Sequence, residues 1–126
     1  MQRAMAGLIR ISNEEAWSVA GWVFDHVLRQ SVPFIPANNQ RLLSVLKKGM
    51  VEGVGYIVLS VLSPSDKQIF LRALRGGLRH TEEVGSSAFA EPTFYPGFID
   101  QFRELIDMLS SELNGPEESS DDNGEI

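Results

Sequence analysis

The acid–base chemistry open to this chain begins with its two histidines, His26 and His80. His80 is followed closely by Glu82 and Glu83, and an imidazole beside two carboxylates is a composition that can bind a metal ion or move a proton. The same composition also makes an ordinary solvated turn. His26 follows Asp25 directly, and adjacent residues on a helix point about 100° apart, so this carboxylate cannot orient that ring. There is no cysteine, which excludes disulfides, thiolate nucleophiles and thiolate zinc sites. A serine nucleophile needs a base and a third group, and Gly85-Ser86-Ser87 lacks the second glycine of a nucleophile elbow. Gly76-Gly77 and Gly53-x-Gly55 have neither the lysine nor the spacing of a phosphate loop. These residues assign no catalytic group, no metal and no cofactor, and the chain reads more readily as a binding protein than as an enzyme.

The arginines are better organised. Arg72, Arg75 and Arg79 recur at i, i+3 and i+7 with Lys67 upstream, a spacing that makes a ridge if one helix carries them all. Such a ridge can meet phosphate or an acidic partner, or simply face solvent. A second grouping centres on Trp22, which shares a helical side with Ser18, Asp25, His26 and Arg29 and belongs, with Val19, Val23 and His26, to a second stripe adjacent to the core stripe. Tryptophan next to arginine and histidine is a composition enriched at interface hot spots. Val19, Trp22, His26 and Arg29 are therefore the candidate partner-binding residues. Lys67, Arg72, Arg75 and Arg79 are the candidate anion-binding or acidic-partner set.

Composition sets the bounds. The 126 residues, 43% hydrophobic and 22% charged, suit one globular domain. The net charge of −6 is concentrated at the end: residues 114–126 hold five of the 17 acidic side chains and no lysine or arginine. The remaining body, with 12 acidic against 11 basic residues, is nearly neutral, which disfavours duplex nucleic acid as a ligand. The start, MQRAMAGLIRIS, has no long apolar core followed by a cleavage site, so a cytoplasmic protein is expected. The longest apolar run, GVGYIVLSVL at 53–62, is far below the roughly 20 residues a bilayer requires.

The elements that must position these residues follow from periodicity. Residues 6–11 are short, apolar and suited to an extended segment. Ser12 and Glu15 have capping-box spacing, which predicts a helix from Asn13 to about Gln30 with Ala16, Trp17, Ala20, Phe24, Val27 and Leu28 inward. Pro33 and Pro36 make a loop, and Asn38 or Asn39 can cap a second helix from Gln40, with Leu42, Leu43, Leu46, Met50 and Val51 inward. The central run is ambiguous. Its β-branched residues and glycines favour a strand, but Val54, Ile57, Val58, Val61 and Leu62 also fall at helical spacing. With only residues 6–11 available to pair with it, a helix broken near Gly53 is expected. Ser63-Pro64-Ser65-Asp66 starts a third helix, with Ile69, Phe70, Ala73 and Leu74 inward, that Gly76-Gly77 should end. A loop to Tyr95 should lay Phe89, Phe94 and Tyr95 on the core. The last helix, from about Pro96, carries Phe98, Ile99, Phe102, Leu105, Ile106, Leu109 and Leu113 and stops at Asn114-Gly115-Pro116.

The expected fold is thus all-α: a compact bundle of four or five helices in residues 1–113, an aromatic loop and a disordered acidic tail at 114–126. The alternative is α+β with 54–62 as a strand. The expected function is a small cytoplasmic protein-interaction module (an adaptor, a regulator or an immunity- or antitoxin-type inhibitor) acting on another protein or a second copy of itself, with no membrane. The alternatives are an enzyme or ligand-binding domain using His80, Glu82 and Glu83, and nucleic-acid binding through Arg72, Arg75 and Arg79.

Overall fold

The computed structural model describes residues 6–51, 55–89 and 91–121. The described residues are mostly helical, with four α-helices, and also contain a three-stranded sheet that a pure bundle lacks. The sheet comprises β1 (Ala6–Arg10), β2 (Ala16–Ala20) and β3 (Tyr56–Val58) in the order β2-β1-β3. The helices are α1 (Gly21–Ser31), α2 (Gln40–Val51), α3 (Pro64–Val84) and α4 (Tyr95–Asp121).

The hairpin corrects the first predicted helix. Ser12 Oγ does accept from the backbone amides of Glu14 and Glu15, each at 3.2 Å. It does so in a tight reversal in which Ile11 N–H and Ser12 N–H donate to the Glu15 carbonyl. A hydroxyl two or three residues before an amide caps a β-turn as readily as a helix. Ala16–Ala20 then runs back as a strand, antiparallel to β1, with Ile9 opposite Trp17. Period-two alternation places Trp17 and Val19 inside and leaves Ser18 and Ala20 outside. The helix begins only at Gly21, where Ala20 offers no side-chain cap.

The second correction concerns the apolar run. Gly55 turns the chain at a positive φ of 65°, and Tyr56–Val58 pairs in parallel with β1, Ile57 facing Ile9. Leu59–Val61 follows as one 3₁₀ turn. The run is an edge strand, with Ile57, Leu59 and Leu62 buried and Val61 68% exposed, and is not the buried helix that its spacing allowed. The strand alternative is right in kind but covers only three residues. Glu52, Gly53 and Val54 lie outside the described residues. The partner is the expected extended segment at 6–11, and the hairpin adds β2 as the third strand that the sequence reading did not find.

The caps of α2 and α3 follow their sequence signals. Asn39 Oδ1 accepts from Leu42 N–H at 3.1 Å, and Ser63 Oγ accepts from Asp66 N–H at 3.1 Å. Asn39 Nδ2 donates to Asp66 Oδ1 at 3.0 Å, tying one cap to the other. The third correction is that α3 passes through Gly76-Gly77 and ends only at Gly85, whose φ of 77° suits glycine. The two glycines serve a close crossing. A Cβ on Gly77 would lie 2.9 Å from the Gln30 carbonyl oxygen and from Ser31 Oγ, and one on Gly76 would lie 2.8 Å from the Phe34 ring. Buried hydroxyls flank this contact: Ser31 Oγ donates to the Val27 carbonyl and Thr81 Oγ1 to the Gly77 carbonyl, each at 2.8 Å.

The core is continuous. Phe24, Val27 and Leu28 of α1 meet Phe70, Ala73 and Leu74 of α3, and Phe98, Phe102, Leu105 and Leu109 of α4 close it. Helix α1 packs on β1 and α3, α4 packs on α3 and β2, and α2 on β3. Trp17 is almost fully buried and its Nε1–H donates to the Gln101 carbonyl at 2.9 Å, joining sheet to α4. Helix α4 does not stop at Asn114-Gly115-Pro116 but runs on to Asp121, so the acidic stretch begins as helix; residues 122–126 lie outside the described residues. Among the described residues no helix is long and apolar enough to cross a membrane.

Two glycines of opposite role give a direct test. Gly77→Ala forces a methyl group against backbone and should lower unfolding free energy by about 1–3 kcal/mol. Gly97→Ala enters open space in the first turn of α4 and should leave stability unchanged or raise it by up to about 1 kcal/mol. Urea unfolding followed by circular dichroism separates the two; equal losses would contradict the crossing.

Candidate functional site: an aromatic face and an arginine cleft

The predicted partner-binding residues divide. Val19 sits on β2 and is buried in the core, so it shares no exposed face with the others. Trp22, His26 and Arg29 occupy successive turns of α1 and do share a side. Trp22 is 46% exposed even though three phenylalanines surround it. Its ring stacks on Phe94 at 5.7 Å and on Phe98 at 5.9 Å, with Phe89 edge-on at 6.4 Å. Phe94, on the 3₁₀ turn Pro92–Phe94, is itself 54% exposed. The segment between α3 and α4 therefore folds over α1 as a thin aromatic cover, with Phe98 as its floor in the core. Trp22 and Phe94 form its outer surface.

His26 lies beneath this cover. Its ring is 5.2 Å from Phe89 and 4.9 Å, edge-on, from Phe98. Its Nε2 is buried and has no hydrogen-bond partner among the described residues. Burial pushes the imidazole below its ordinary pKa; the nearby Asp25 carboxylate acts in the opposite direction and Arg29 reinforces the lowering. Desolvation wins because the ring sits among hydrocarbon while Asp25 spends its charge on Arg29, at 2.6 Å along the exposed side of the helix. The same pairing raises the Arg29 guanidinium further above its ordinary value.

The basic set is brought together, and improved, by the continuation of α3. Arg72, Arg75 and Arg79 are exposed on one helix, with half-buried Lys67 in its first turns. Arg75 and Arg79 border a cleft of about 340 Å³ between α3 and α4, to which Arg103 of α4 adds a third guanidinium. Arg103 is held by an ion pair to Glu82. Neither Lys67 nor Arg72 lines the cleft.

The His80 region is placed differently from the expected loop. His80, Glu82 and Glu83 lie on α3 itself, all exposed, and Glu82 is engaged by Arg103. Among the described residues no group of three His, Asp or Glu side chains could hold a metal ion. Sequence reasoning allowed the aromatic loop at 89–95 to cover Trp22, as Phe89 and Phe94 do, but missed Phe98 beneath that ring and Arg103 across from Arg75. Each of these depends on how two helices far apart in sequence align. Against known proteins, no family model, curated protein or solved structure matches this chain.

The buried imidazole gives the chain a pH dependence with a definite sign. The unfolded chain binds a proton to His26 at higher pH than the folded chain does, so acidification favours unfolding. Stability should be fully present above about pH 7 and fall as pH drops through the unfolded value near 6.5, levelling below the folded value. Thermal melts from pH 7.5 to 5.5 should show a falling Tm that His26→Phe flattens. An equal slope in both proteins would show that His26 is not the group responsible.

Proposed function

We propose that this chain is a small protein-interaction module that acts by surface contact and pairs with a second copy of itself through the Trp22–Phe94 face. The observation that carries the reading is the stacking of these two rings while each remains about half exposed. Aromatic side chains of this kind dominate interface energetics because they bury much area and have few torsions to freeze. A second copy is favoured by the charges alongside. Asp25 and Arg29 follow Trp22 on the same helix at opposite sign and four residues apart. Under a two-fold axis, antiparallel α1 helices bring each Asp25 toward the partner's Arg29, so the face is complementary to itself. The nearly neutral body opposes such pairing little. An adaptor or regulator in the cytoplasm is the role this fits; no catalytic step is needed.

Sedimentation and light scattering test the reading. The native protein should be dimeric at micromolar concentration. Trp22→Ala or Phe94→Ser should weaken the dimer by about thirtyfold or more, the scale of a lost hot-spot aromatic. Phe94→Ser removes an exposed ring and should leave the helical spectrum intact, so loss of pairing cannot be mistaken for unfolding. A native protein that is monomeric at every concentration overturns the proposal.

A further inference from the structure

The cleft between α3 and α4 shares no lining residue with the aromatic face, and its lining has a chemistry of its own. We infer that it binds a short acidic peptide segment of a partner protein, a carboxylate seated between Arg75 and Arg79 and an adjacent aliphatic side chain on the apolar floor. Arg75 and Arg79 stand one helical turn apart, both are exposed, and neither makes an ion pair among the described residues. Arg103 approaches from the opposite wall and is held in place by Glu82, so its guanidinium is oriented before any ligand arrives. Leu78 and Ile106 supply hydrocarbon between the two walls.

Charge and energetics choose the ligand. Three guanidiniums stand against the carboxylates of Glu82 and Asp107, a net charge of one. A single carboxylate balances it, whereas a second negative charge on the ligand would face the two resident carboxylates. An ion pair in so open a place contributes at most about 1 kcal/mol, so charge alone gives little affinity. The ligand must also cover Leu78 and Ile106, at roughly 25 cal/mol per Å² of apolar surface removed from water. An acidic residue next to leucine or isoleucine meets both demands, and arginine's planar fork suits a carboxylate. The chain's own residues 114–126 are a poorer fit, with five carboxylates and only Ile126 as an aliphatic group.

Fluorescence anisotropy on the full-length protein tests this with a labelled, C-terminally amidated peptide Gly-Ser-Leu-Glu-Ile-Leu-Ser-Gly and a control with glutamine for its one glutamate. The glutamate peptide should bind and the glutamine peptide should bind about fivefold more weakly, the scale of a lost exposed ion pair of about 1 kcal/mol. Arg75→Glu with Arg79→Glu should abolish binding, while Arg75→Lys with Arg79→Lys should keep part of it. Lys47→Glu with Lys48→Glu alters net charge equally on exposed α2 and should change affinity by less than about twofold after salt screening. Equal losses from both charge reversals, or no binding by either peptide, overturn the proposal. So does inorganic phosphate that displaces the probe as well as unlabelled peptide does, which would make the cleft a phosphate site. If amidating Glu117, Glu118, Asp121, Asp122 and Glu125 raises peptide affinity about tenfold, the chain's own tail is the occupant and the proposal also fails.

Discussion

Helix α1 ends directly against the middle of α3, and that approach is allowed because Gly76 and Gly77 carry no side chains. Backbone atoms of Gln30 and the hydroxyl of Ser31 occupy the space a Cβ of Gly77 would need, and Phe34 occupies that of Gly76. Glycine inside a helix costs roughly 1 kcal/mol relative to alanine, and two in a row would ordinarily end one. Here the cost is offset by burial along the crossing, where Phe24, Val27 and Leu28 meet Phe70, Ala73 and Leu74. Much else depends on this contact. Because α3 continues past the glycines, Arg75, Arg79 and Glu82 stand on one wall facing α4. Because α1 lies close, Trp22 and His26 reach the phenylalanines beyond the end of α3.

The two surfaces that result differ in kind. The aromatic face is an extension of the core: Phe98 is buried, Phe89 half-buried and Phe94 open, so hydrocarbon continues from interior to solvent, with Asp25 and Arg29 alongside. The neutral His26 belongs to that continuum, and its unpartnered nitrogen is the polar cost of holding the cover in place. The arginine cleft is the opposite case, with charge on its walls and a narrow apolar strip between them. A molecule with one hydrophobic contact face and one charged cleft can pair and recruit with separate surfaces, which is consistent with an adaptor.

How far this was legible in the residues depends on the signal. Helical periodicity in α2 and α4 and the Ser63-Pro64 cap identified their elements correctly because local geometry decides them. Trp17 as core and Trp22 as outlier were also readable, although Trp17 reaches the core from a strand. Three local signals misled. Ser12 with Glu15 looked like a helix cap because a hydroxyl satisfies a turn in the same way. Gly76-Gly77 looked like a stop because sequence does not show what packs against it. The run at 53–62 looked helical because a pair with residues 6–11 alone is marginal, and β2, the strand that completes the sheet on the far side of β1, was hidden inside a predicted helix. In each case a tertiary contact reversed a local preference. The Arg75 and Arg79 wall of the cleft was visible in their helical spacing, whereas Arg103, 21 residues from its partner Glu82, had no local signal.

Both surfaces rest on α3 being one helix through its glycine pair. Backbone carbon chemical shifts and amide exchange across Arg75–Thr81 measure that directly. Continuous helical shifts, with the Leu78 to Thr81 amides exchanging as slowly as those of Phe70 to Leu74, are the predicted result. Helical shifts that end at Gly76, with fast exchange beyond it, would separate the two halves of α3 and remove the basis of both surfaces.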